Sequence, residues 1–158
     1  MKVRDVMVKD VKFCSPEMNL GAAAETLWKE GVGTLPVVED GRVLGVITDR
    51  DIAIALGTRN AKAGETLVRE VALPKLFYCA PEDDIHVALQ TMRAQRVRRL
   101  PVMDNKGNLE GILCLDDIIL FAEEEAAELT YADVIETLKA ICEHPSVARI
   151  LAVAGSSR

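Results

Sequence analysis

Residues 31–52 read GVGTLPVVEDGRVLGVITDRDI, and residues 96–118 read RVRRLPVMDNKGNLEGILCLDDI. Laid over each other, they are one pattern written twice. Leu35-Pro36-Val37 matches Leu100-Pro101-Val102, Gly45 matches Gly111, and Asp51 matches Asp117. The offset is 65 residues up to Asp40 and 66 from Gly41, because the second copy has one more residue in its turn. An internal repeat has to be read before anything else, since each copy is then one structural unit that needs its neighbour.

The match continues upstream. VRDVMVKDVKFCSPEMNL from Val3 is answered by VREVALPKLFYCAPEDDI from Val68, with Cys14 on Cys79 and Pro16 on Pro81. Each copy has the same grammar. An extended stretch ends at Cys-Ser-Pro or Cys-Ala-Pro, where proline biases the preceding residue away from helix. A helix follows over 19–30, with Leu20, Ala23, Ala24 and Leu27 on one side, and its partner over 84–95 carries Ile85, Ala88, Leu89 and Met92. Then come two strands joined by a turn, Asp40-Gly41 in the first copy and Asn105-Lys106-Gly107 in the second. A second helix starts near Asp51 or Asp117.

The expected fold is therefore α/β: two βαββα repeats packed sheet to sheet about a pseudo-twofold axis. Repeat one covers 1–57, a polar linker 58–67, repeat two 68–122 and a helical extension 123–158. A unit of this size alone would bury too little surface to be stable.

Composition narrows the function. The 158 residues are 49% apolar but only 4% aromatic, so the core is built from Val, Leu, Ile and Ala. A net charge of -6 argues against nucleic acid or an anionic membrane as partner. No apolar run is long enough to span a bilayer, and MKVRDVMVKD is too charged for a signal peptide, so the expected location is the cytoplasm. Cys14, Cys79, Cys114 and Cys142 form no CxxC pair and no Cys/His cluster; they are expected to be free, mostly buried thiols, with no metal site. No nucleophile–base pair, paired acid and base, or Gly-rich phosphate loop is present, so no enzyme is expected.

One segment is not explained by strand or helix grammar. After Gly45-Val46-Ile47, the chain turns to Thr48, Asp49, Arg50 and Asp51. An aspartate here can cap a helix, but a cap does not call for an arginine beside it. A hydroxyl, a carboxylate and a guanidinium together suit a ligand with both hydroxyls and an anionic group.

The doubled LPV, the glycine-bearing strands and the Thr48-x-x-Asp51 ending resemble a tandem pair of CBS domains, a Bateman module, over residues 3–122. The resemblance implies a non-catalytic regulatory sensor that binds an adenosine ligand between the repeats and requires no cofactor. AMP, ADP or ATP is expected ahead of S-adenosylmethionine or NAD. It also implies a homodimer.

By the same resemblance each cleft mixes the repeats. Cleft A would use Val46, Thr48, Arg50 and Asp51, with Asp51 on the ribose hydroxyls. Pro74, Lys75 and Leu76 would surround the base, and Val97, Arg98 and Arg99 would lie near the phosphates. Strand alternation favours Arg98 over Arg99 there, and the Arg96, Arg98, Arg99 run also reads as a solvated charge cluster. Cleft B, the weaker, would use Ile112, Cys114, Asp116 and Asp117 with Lys9, Asp10, Val11, Val32, Gly33 and Thr34. Cys114 there replaces a hydroxyl with a weak donor, and Asp116 stands where cleft A has Arg50. Cleft B is therefore expected to be empty or to take an uncharged or cationic adenosyl ligand.

His86 and His144 read as isolated surface residues, and Trp28 and Met92 as helix packing. In the tail, seven acids face three bases over 123–158. Glu123 to Glu128 are expected to prolong the preceding helix. Thr130 and Asp133 form a capping-box signal for a helix near 131–143, with Val134, Leu138, Ile141 and Cys142 as its stripe and His144-Pro145 as its end. The alternative function is a ligand-free interaction module acting through this tail.

Overall fold

The computed structural model describes residues 1–72, 76–124 and 127–143. In repeat one, helix α2 (Leu20–Glu30) leads to strands β1 (Thr34–Glu39) and β2 (Arg42–Thr48) and then α3 (Asp49–Thr58). In repeat two, α4 (Ile85–Gln95) leads to β3 (Arg99–Met103), β4 (Leu109–Cys114) and the short α5 (Leu115–Ile118). A single turn, α1 (Val3–Val6), precedes them, and α6 (Tyr131–Cys142) follows.

Local chemistry sets these limits. Asn19 accepts a hydrogen bond from the Ala22 N–H at 2.8 Å, and Gly31 closes α2 in the left-handed region at φ 64°. Asp40 and Gly41 both have positive φ, 50° and 81°, as a two-residue turn between twisted strands requires. Each hairpin is antiparallel, and each gains a third, parallel partner at its cysteine: Cys14 beside Val37, and Cys79 beside Val102.

The repeats are joined reciprocally. Val43 donates to the Gly107 carbonyl at 3.0 Å, and its equivalent Leu109 donates to the Gly41 carbonyl at 3.4 Å. Val38, Val43, Met103, Leu76 and Leu109 fill the space between the hairpins. The repeats also exchange their opening segments. Val3 and Val6 are buried in the core of repeat two, with Ile85, Leu89, Met92 and Leu100. Val68 and Val71 are buried in the core of repeat one, with Leu20, Leu27, Leu35 and Ile47. Neither core is complete without residues from the other half of the chain.

Three expectations are corrected. Over the stretch 123–128, the described residues Glu123, Glu124, Ala127 and Glu128 do not prolong α5. That helix stops at Ile118, a 3-10 turn covers Ile119–Phe121, and Glu123 bridges to Thr130. The Glu123 N–H donates to the Leu129 carbonyl and the Tyr131 N–H to the Glu123 carbonyl, which folds the chain back to dock α6. Trp28 is not packed: it is 81% exposed, whereas Met92 is fully buried. His86 is at the surface but not isolated. Its Nδ1 lies 2.9 Å from Asp84 Oδ1 and its Nε2 3.6 Å from Asp133 Oδ2, linking α4 to α6. His144 and Pro145 lie outside the described residues. Among the described residues no helix is long and apolar enough to cross a membrane.

Candidate functional site

Cleft A begins where β2 becomes α3. Thr48 is the N-cap: its Oγ1 accepts from the Asp51 N–H at 3.1 Å. Asp51 Oδ2 in return accepts the Thr48 N–H at 2.9 Å and the Thr48 hydroxyl at 2.6 Å. This reciprocal box starts the helix and locks the threonine rotamer. From the other repeat, α4 ends at Gln95, and Arg96 takes the left-handed conformation, φ 55°, at the position of Gly31 in repeat one. The chain then runs through Val97 and Arg98 into β3.

These two junctions face each other across a cavity of about 720 Å³. Val46, Thr48 and Arg50 line it from repeat one, and Val97, Arg98 and Arg99 from repeat two. Arg96 joins the same wall, and Asp49 is the one carboxylate among the described lining residues. Arg98 precedes β3 and Arg99 is its first residue, so strand alternation does not separate them; both line the cavity. Asp51 does not line it. It stands behind Thr48, with Oδ2 engaged in the capping box. Leu76 lies in the cluster between the hairpins, and Pro74 and Lys75 lie outside the described residues.

Cleft B is a second cavity, of about 350 Å³, at the equivalent junction. Asp10, Val11, Val32 and Thr34 line it from the first half of the chain, and Ile112, Cys114, Asp116 and Asp117 from the second. Lys9 and Gly33 do not. Lys9 borders a separate hollow beside Phe13, and Gly33 lies in the wall of cleft A. Cys114 occupies the capping position of Thr48 but makes no side-chain cap bond, and α5 has only four residues. Burial, assisted by the Asp117 carboxylate, pushes the Cys114 thiol up to about 11. Lys12 and Arg99 face Asp10, Glu30, Asp116 and Asp117 here, with Arg99 3.7 Å from Asp116. The two clefts thus have opposite electrostatic character, guanidinium-rich in A and carboxylate-rich in B.

The family description "CBS domain" matches residues 3–58 and again residues 68–124. The chain belongs to the CBS-domain family. This CBS pair is 38% identical over 116 residues to the CBS domain-containing protein YhcV of Bacillus subtilis, covering 73% of this chain and 81% of YhcV. It is 31% identical over 151 residues to hypoxic response protein 1 of Mycobacterium tuberculosis, covering 92% of this chain and 96% of that one. Among solved structures, hypoxic response protein I with two coordinated zinc ions superposes with a TM-score of 0.71 at 29% identity, covering 78% of this chain and 100% of that one. The CBS domain pair of protein MJ0100, in complex with 5-methylthioadenosine and S-adenosyl-L-methionine, superposes with a TM-score of 0.70 at 23% identity, covering 77% and 94%; at that identity the likeness is one of fold. Among the described residues of this CBS pair, no three His, Cys, Asp or Glu side chains are grouped to hold a metal ion.

Sequence reasoning missed two parts of this CBS pair's cleft A. Arg96 reads with its neighbours as a solvated charge cluster, and the signal for its left-handed backbone lies not in the run of arginines but in its alignment with Gly31 of repeat one. Ile141 and Cys142 of α6 also form part of the wall. Their amphipathic spacing called for a partner surface, but spacing cannot say which surface.

Proposed function

We propose that this CBS pair is a regulatory module that binds one adenosine phosphate, AMP, ADP or ATP, in cleft A and performs no chemistry on it. The observation that carries this reading is the convergence of Arg50 from one repeat with Arg96 and Arg98 from the other around a cavity of about 720 Å³, with Arg99 in the wall shared with cleft B. Pockets of this order suit small ligands. Guanidinium forks match phosphate oxygens and give charge-assisted hydrogen bonds. Val46, Val97 and Pro101 supply apolar surface for an adenine ring. Thr48 lines this cavity, and its hydroxyl oxygen, held in place by Asp51 behind it, is an acceptor for a ribose hydroxyl. The adenosyl ligands of the MJ0100 domain pair support the ligand class, and the arginines favour its phosphorylated members. Cleft B, with its carboxylates and unionised thiol, disfavours the same ligand.

The test is calorimetry with adenosine, AMP, ADP and ATP at two salt concentrations. Affinity should rise with phosphate number, with one site per chain, and the phosphate-dependent part should weaken with salt. Arg98→Ala should weaken ATP by about 10-fold or more, as loss of a charge-assisted hydrogen bond does, and leave adenosine nearly unchanged. Two equal tight sites per chain, or adenosine binding as well as ATP at low salt, would refute the assignment.

A further inference from the structure

Helix α6 is fastened to α4 along its body and to cleft A only at its end. Arg93 of α4 donates from Nε to Thr137 Oγ1 at 2.7 Å and from its guanidinium to the Asp133 carbonyl at 2.9 Å. Val134 and Thr137 are buried, and Leu138 and Ile141 lie against the core of repeat two. Beyond that, Cys142 and Glu143 are exposed. Among the described residues, the side chains that make polar contacts with them are arginines of cleft A. Arg98 points a guanidinium nitrogen at Cys142 Sγ at 3.8 Å. Arg96 donates to the Glu143 carbonyl at 3.1 Å and lies 3.6 Å from the Glu143 carboxylate. Arg96 does so from a left-handed backbone position where repeat one has glycine. A long cationic side chain therefore stands where backbone energetics favour none.

We infer that the end of α6 is a displaceable lid on the phosphate side of cleft A, with Glu143 as an internal competitor for the arginines that would hold the ligand. The inference rests on the reading of cleft A as a nucleotide site. Its physical basis is a difference in acceptor strength. A thiol is a weak acceptor, and one exposed carboxylate–arginine pair contributes little. A polyphosphate brings more charge and more acceptor oxygens to the same guanidinium groups. When it binds, Arg96 and Arg98 turn to it, and the end of α6 loses its polar anchors while Arg93 keeps the helix body on α4. Uncharged adenosine leaves the lid in place. Occupancy of the cleft is thereby reported at the C-terminal end of α6.

The experiment is amide hydrogen exchange over Leu138–Glu143 of the full chain, alone and with ATP, adenosine or inorganic tripolyphosphate. Binding of ATP and tripolyphosphate is measured in parallel for wild type and Glu143→Gln. The lid predicts faster exchange at these amides with ATP and tripolyphosphate, and no change with adenosine. Glu143→Gln should tighten both anions by about two- to fivefold, the range an exposed ion pair allows. If tripolyphosphate releases the segment and ATP binds no better than tripolyphosphate, the lid stands and the adenosine reading falls. If ATP binds but exchange at these amides is unchanged and Glu143→Gln has no effect, the lid is overturned and the nucleotide reading stands. If neither anion binds, both are overturned.

Discussion

Replacing Gly111 with alanine should be among the most damaging single-methyl changes in this protein. Gly111 lies in β4, where the opening segment of the chain crosses onto repeat two. Val8 and Ile112 exchange two backbone hydrogen bonds there, each 2.9 Å long. A methyl group on Gly111 would sit 2.7 Å from the Val8 carbonyl oxygen and 3.0 Å from the Met7 sulfur. That is roughly 0.7 Å inside ordinary contact with a backbone atom, which has no rotamer to escape into. Either β4 or the crossing segment must move. Overpacking costs about 1–3 kcal/mol, and weakening the paired hydrogen bonds adds about 0.5–1.5 kcal/mol each. The expected total is about 2–6 kcal/mol, or a fall in Tm of about 4–24 °C for a chain of this length. The assay is urea and thermal unfolding, with amide exchange at Val8 and Ile112 as a local readout. Gly57→Ala is the internal control. Gly57 lies in α3 with nothing within 4 Å of an added methyl group, so the same chemical change should stabilise by about 0.5–1 kcal/mol. If Gly111→Ala unfolds like the wild type and exchange at Val8 is unaltered, the crossing of the opening segment onto β4 is wrong.

Asp51→Ala should lower the stability of the unliganded protein by about 1–2 kcal/mol by removing the capping box with Thr48. Asp51→Asn should lose less, because it keeps an acceptor oxygen. Equal losses in urea unfolding would contradict the box. The buried thiols give an alkaline signature. Burial raises Cys14 from 9.0 to about 11 and Cys79 from 9.0 to about 12. Because the folded values lie above the unfolded one, the unfolded chain loses these protons first. The stability they contribute is complete below pH 9 and falls as pH rises towards 11 and 12. Unfolding free energies measured across this range should fall less steeply in a Cys14→Ala/Cys79→Ala double variant, and an unchanged slope would assign the fall to other groups.

Much of this protein was legible in the sequence because its signals are local and doubled. The spacing of Leu20, Ala23 and Leu27, and of Ile85, Ala88, Leu89 and Met92, marks helix faces that are buried as the period requires. Asp40-Gly41 specifies its turn through backbone energetics alone, and Thr130 with Asp133 specifies the start of α6 through a three-residue spacing. The repetition of LPV and of the glycine-bearing strand establishes the CBS pair, because two coincident motifs in register are far less probable than one. What only the tertiary structure decided depends on contacts between distant parts of the chain. Val3 and Val6 belong to the core of repeat two because the opening segment crosses over, which no local pattern records. Arg96 and Glu143 meet because α6 docks on α4, although 47 residues separate them. Asp51 stands behind the cleft wall because one of its oxygens is engaged in capping α3. Residue type showed that a carboxylate was present; only packing showed which of its oxygens was still free.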